Sequence, residues 1–160
     1  MKKVELTTRI SVYDSIAELP EEANGLMLKA IEAKKNAYAP YSKFKVGAAL
    51  LLENGLIITG NNQENAAYPS GMCAERVAIW KASSDYPNIK ILKLAISASS
   101  SSHILKEPIA PCGGCRQTLS EYELNQKEKF EVYFMGEEGK IIKTDSVLDL
   151  LPIAFDKSFL

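Results

Sequence analysis

Histidine occurs once in these 160 residues and cysteine three times, and no apolar stretch approaches the roughly 18 residues of a membrane span. An odd cysteine count would leave one thiol over from a secreted disulfide framework, so the cysteines point to metal or catalytic chemistry in a reducing compartment. The opening MKKVELTTRISVYDS carries two lysines but no apolar segment behind them, so it does not read as a secretory leader, and the expected localisation is cytoplasmic. An excess of one charge is also missing. Lys+Arg 19 against Asp+Glu 20 gives a net charge of −1 and a pI near 5.9, with no positive field to gather polyanions. Nucleic acid and anionic membranes are thereby disfavoured as partners, and small neutral ligands stay open. With 46% hydrophobic residues at this length, residues 1–160 are expected to form one domain whose core needs no staples.

Periodicity predicts an α/β protein. Val4, Leu6, Thr8, Ile10 and Val12 alternate as in a half-buried strand. Leu19, Ala23, Leu26, Ala30, Ile31 and Ala37 recur at helical spacing, predicting a helix over about 20–38 with Pro20 in its first turn and Pro40 beyond its end. The run from Phe44 to Leu52, the turn Glu53-Asn54-Gly55 and the following LIITG form a β-hairpin. An Asn-rich loop then leads to a helix starting near Cys73, with Ala74, Val77, Ala78, Trp80 and Ala82 as its buried stripe. A buried strand over 91–98 follows, then a serine-rich loop, a helix opening at PCGGC, strands at FEVYFM and KIIKT, and a short helix ended by Pro152. Helices interleaved with strands predict a layered α/β domain with a mixed sheet of about five strands plus an additional N-terminal one.

All three cysteines fall at predicted helix starts, where partial positive charge and unpaired N–H groups favour thiolate over thiol. Cys112 and Cys115 are spaced to grip one ion from a single helical turn, the two glycines between them letting the backbone curl around it. Cys73 supplies a third sulfur from another helix. A structural zinc site is normally closed by four protein ligands, whereas a catalytic one keeps three and leaves the fourth position to water. His103, in its polar loop, reads as a solvated residue outside the site. A thioredoxin-like C-x-x-C pair is the weaker alternative, because those pairs sit early in a βαβ unit.

Glu75, two residues past Cys73, can reach water held at such a metal and move its proton, which is general acid–base work beside a Lewis acid; the bland alternative is a first-turn glutamate favoured by the helix dipole. Zn²⁺ with three thiolates already totals −1, which blunts its acidity. Arg76, Arg116 and Gln117 each stand near a site residue and are candidates to donate a hydrogen bond to a ligand sulfur and withdraw that charge.

C-A-E followed by P-C-G-G-C resembles the zinc nucleoside and nucleobase deaminases. The segments AYAPYSKFKVGAALL, NNQENAAYPSGMCAERVAI, PCGGCRQ and LLPIAF are similar, in order, to the small, three-cysteine, homotetrameric cytidine deaminases. The resemblance implies a three-layer α/β/α cytidine deaminase-like fold over residues 21–156, with residues 1–20 an extension beyond the usual family start. It implies one Zn²⁺ per subunit on Cys73, Cys112 and Cys115, with Glu75 carrying protons from water to the cytosine ring and the departing amine. It further implies that Asn62 and Glu64 bind the ribose hydroxyls, that Phe44 packs on the pyrimidine, and that the Ala74 N–H meets the base carbonyl. Phe155 would be supplied across a subunit interface, with Tyr68 near it. The reaction implied is hydrolytic deamination of cytidine and deoxycytidine in pyrimidine salvage. A deaminase of modified cytosine nucleosides and a non-catalytic zinc module are the rival readings.

Overall fold

Phe44–Leu52 (β2) is apolar almost throughout because it is covered on both sides. In the computed structural model, which describes residues 1–160, Ala49 and Leu51 face one layer and Ala48, Leu50 and Leu52 the other. The same alternation runs through Ile91–Ser100 (β4), with Ala95 on one face and Leu94 and Ile96 on the other, and through Glu131–Met135 (β5), with Tyr133 and Met135 opposed to Val132 and Phe134. Glu21–Lys35 (α1) covers the first face with Ala23, Leu26, Met27 and Ala30. Ala74–Asp85 (α2) and Gly113–Gln126 (α3) cover the second with Ala74, Ala78, Ile79, Ala82 and Leu119. Each fully buried Leu or Ile contributes about 1.5–3 kcal/mol, so the two cores account for the layering. The expected three-layer α/β/α arrangement is the one observed.

With Ser11–Tyr13 (β1), Ile57–Asn61 (β3) and Ile141–Thr144 (β6), the sheet has six strands in the order β1-β6-β5-β4-β2-β3. It is mixed: β4 and β5 are parallel and joined through α3, and the other neighbours are antiparallel. β3 and β4 are both antiparallel to β2, so they run the same way and end at the same rim. The chain leaves β3 toward α2 and β4 toward α3, so both helices begin at that rim, where a ligand crevice is expected in layered sheets.

Close approach of helix to sheet depends on two glycines. A Cβ at Gly60 of β3 would stand 2.5 Å from the Ala74 carbonyl oxygen and 2.6 Å from the Ala78 nitrogen, so only glycine lets the first turns of α2 lie on the sheet. Gly47 does the same for α1, its missing Cβ leaving room for the Ala30 carbonyl and the Lys34 backbone.

Three local expectations differ from the structure. The alternation over residues 4–12 does not make a half-buried strand: only Ser11–Tyr13 pairs with β6, and Val4, Leu6, Ile10 and Val12 are 72%, 61%, 52% and 52% exposed. The pattern defines a face, but no layer of this chain lies over it. Trp80 is not in the buried stripe of α2, where Ile79 takes the position; Trp80 lies on the surface with the Arg76 guanidinium 5.9 Å from its ring centroid. The last predicted helix is a 3₁₀ turn over Val147–Leu150, and the chain beyond it has no further α-helix.

Candidate active site

Cys73 and Cys112 occupy the N-cap positions of α2 and α3, and Cys115 lies in the first turn of α3. Their three sulfurs stand within 4.8 Å of one another, Cys73 and Cys112 at 3.9 Å. Two sulfurs each about 2.3 Å from one ion at the tetrahedral angle stand roughly 3.8 Å apart, so this donor set fits zinc and is far from the 2.05 Å or so of a disulfide. All three cysteines are free. Cys115 is buried, Cys73 half-buried and Cys112 exposed, and Cys73 and Cys112 line a cleft, so the cluster is open on one side.

Gly113 and Gly114 have ordinary helical backbone, and a Cβ on either would meet nothing within 4 Å. The expectation that they let the chain curl around an ion is therefore corrected: the helical turn itself brings the Cys112 and Cys115 sulfurs together.

The electrostatics favour thiolate at Cys73. The Cys73 thiol is pulled down to about 5, first by its hydrogen bond with Cys115 and then, against the opposing effect of burial, by the Arg76 guanidinium. The bond with Cys73 and burial push the Cys115 thiol up, and any proton held among the sulfurs would be released on coordination. Arg76 donates from Nη2 to the Cys73 sulfur at 3.4 Å. Arg116 and Gln117 do not: Arg116 donates to the carbonyls of Pro111 and Leu150, and Gln117 to that of Phe155, which corrects their expected place beside a ligand sulfur. Each side chain extends from α3 toward the C-terminal segment. His103 is exposed and bonded to Ser102, apart from the cluster.

Glu75 is 5% exposed and lies in the first turn of α2, beside the cluster and facing the same cleft. Burial pushes its carboxyl above the usual value, and the Cys73 thiolate adds to that. Such a group holds a proton more readily than an ordinary glutamate. The Ala74 N–H, first of α2, has no intrahelical acceptor and is available to a ligand.

The cleft has a volume of about 970 Å³, at the upper end of the range for small-molecule sites. Phe44, Asn62, Glu64 and Tyr68 all line it, Tyr68 at its mouth and 90% exposed. The Asn62 amide accepts from the Val46 N–H at 2.7 Å and donates to the Phe44 carbonyl at 2.9 Å, extending β2 like one more peptide. One amide hydrogen remains for a ligand. Glu64 accepts from the backbone N–H groups of Tyr41 and Ser42 at 2.9 and 3.2 Å and from the Ser42 hydroxyl, and that hydroxyl, foremost, holds its carboxyl below the usual range. Phe155 does not line the cleft; it is 59% exposed and stacked on Phe159 at 5.7 Å. Val46, Met72, Ile96 and Ile109 form an apolar wall that sequence reasoning missed. Val46, Met72 and Ile109 stand within three residues of ones it did select, whereas Ile96 in β4 has no such signal.

The family model described as the cytidine and deoxycytidylate deaminase zinc-binding region matches residues 20–128. A cytidine deaminase of Sporosarcina psychrophila is 43% identical over 133 residues, covering 82% of this chain and 90% of its own. One from Halalkalibacterium halodurans is 41% identical over 130 residues, covering 81% and 91%. The crystal structure of the Burkholderia pseudomallei cytidine deaminase superposes with a TM-score of 0.72 at 39% identity, covering 86% of this chain and all of that one. Three gathered sulfurs, a buried carboxyl beside them and these likenesses agree: the chain belongs to the cytidine and deoxycytidylate deaminase family.

Proposed function

We propose that the protein hydrolyses the exocyclic C–N bond of cytidine and deoxycytidine, consuming water and giving uridine or deoxyuridine and ammonia, in cytoplasmic pyrimidine salvage. The carrying observation is the three-sulfur cluster with the buried Glu75 carboxyl beside it in one cleft. Cys73, Cys112 and Cys115 would hold one zinc ion, which when bound supplies a Lewis acid that makes water a nucleophile at neutral pH. Glu75 takes the proton that water loses, places it on N3 of the cytosine ring, and passes a second one, taken from the hydroxyl added at C4, to the amine as its C–N bond breaks. Burial that raises its pKa suits it to both halves of that relay. Arg76, bonded to Cys73, draws charge from the sulfur and so offsets the excess of three thiolates.

The Ala74 N–H orients the base through its carbonyl, and Phe44 packs on the ring. Asn62 and Glu64 take the ribose hydroxyls, and both are held still by bonds to the backbone of β2 and of the Tyr41–Ser42 loop. Polar groups held in place for the sugar hydroxyls would discriminate nucleoside from free base. In this reading the enzyme is a homotetramer, residues 21–156 make the deaminase unit, and the exposed Phe155 and Tyr68 serve sites at subunit interfaces. Ammonia release from cytidine, with and without a chelator, tests the function. Turnover lost on chelation and restored by zinc is expected, and a zinc-loaded protein inert to cytidine and deoxycytidine would refute it.

A further inference from the structure

An N-cap residue ordinarily fastens its helix with a side-chain oxygen that accepts from the first turn. Cys112 makes no such bond, and it is exposed, so the ligand at the start of α3 lacks the usual local fastening. What holds the preceding peptide is Arg116. Its Nε donates to the Pro111 carbonyl at 2.8 Å and its Nη1 to the Leu150 carbonyl at 2.9 Å. The second anchor is firm, because Leu150 ends the 3₁₀ turn whose start is pinned by the buried Glu123, which accepts from the Val147 N–H at 3.0 Å and from the Ser146 hydroxyl. A planar guanidinium spans two carbonyls in fixed geometry, which a lysine ammonium cannot reproduce.

We propose that Arg116 is a positioning residue for the metal loop: by bridging the Pro111 and Leu150 carbonyls it fixes where the Cys112 sulfur stands relative to Cys73 and Cys115, and so slows loss of the metal. The proposal rests on the reading of these cysteines as zinc ligands. Its target is a backbone carbonyl, which distinguishes it from Arg76, whose bond goes to a sulfur.

The test is the rate at which zinc passes from the holoenzyme to a chromogenic chelator, together with the sulfur-to-cobalt charge-transfer bands of the cobalt-substituted protein. Arg116→Ala should release zinc roughly 10- to 100-fold faster, the range for removing a group that orients a ligand, and shift the cobalt bands. Arg116→Lys keeps the charge and should still release zinc at least several-fold faster. Lys157→Ala, which breaks only the bond from Lys157 to Asn125 near the C-terminus, should match wild type. Wild-type release and cobalt spectra in Arg116→Ala would overturn the proposal. Full rescue by lysine would overturn it too, since charge rather than the fork would then be at work. If Arg116→Ala does not fold, Arg116→Lys alone decides. A wild-type protein that holds no zinc would overturn the ligand assignment itself, a separate failure visible before any variant is made.

Discussion

Substituting Gly60 by alanine tests whether the site is placed by contact between helix and sheet. The added Cβ would stand 2.5 Å from the Ala74 carbonyl oxygen and 2.6 Å from the Ala78 nitrogen, both backbone atoms of α2 that no rotamer change can move aside. Restoring an ordinary 3.4 Å contact requires α2 to retreat by about 0.9 Å. Overpacking of this kind costs about 1–3 kcal/mol. The retreating turn carries the Ala74 N–H and Glu75 and follows directly on Cys73, so the same displacement acts on the chemistry, where misplacement by about 1 Å can cost 10²-fold in rate. Urea denaturation followed by circular dichroism reads the first effect and the fall in cytidine absorbance reads the second. Gly60→Ala is expected to lose 1–3 kcal/mol by this estimate and to turn over about 100-fold more slowly while still binding zinc. Wild-type stability and turnover together would refute the account of how α2 is seated.

Glu75→Gln should keep its zinc and fold and lose about 10²–10⁴ in turnover, read by ammonia release and metal analysis on one sample. Cys112→Ala should fall from one zinc per subunit to almost none and melt at a lower temperature, because metal binding and folding are coupled. Gly114→Ala, in helical backbone with open space at its Cβ, should stabilise by about 0.5–1 kcal/mol in urea denaturation. Glu131 titrates at about 2 against an ordinary 4.5; burial, the largest influence, raises it, but Lys143 at 2.7 Å and Lys93 at 2.8 Å together outweigh burial. A carboxylate lowered on folding contributes stability that is present above its unfolded pKa and lost as pH falls through the folded one. The advantage of wild type over Glu131→Gln in denaturant melts should therefore be constant above about pH 5 and shrink between about pH 4.5 and 2.

The elements buried on both faces were legible in the sequence because their apolar runs are continuous: β2, β4 and β5 needed only length and flanking turns to be read. The cysteines were legible because each stands at a helix start, and helix starts have local signals. The exposed N-terminal alternation misled because periodicity reports a face and not what covers it. Trp80 misled because its partner is Arg76 one turn earlier, a surface stacking that composition does not separate from core packing. The bonds of Asn62 to β2 and of Arg116 to Pro111 and Leu150 join residues by backbone carbonyls and N–H groups, which every sequence position possesses. No residue type marks such acceptors, so only the fold reveals them.

The metal's surroundings test the central claim most directly. X-ray absorption at the zinc edge of the purified protein should find three sulfur donors at about 2.3 Å and one lighter oxygen donor. Four protein donors of sulfur or nitrogen, with no oxygen, would make the ion a structural one and contradict the catalytic account.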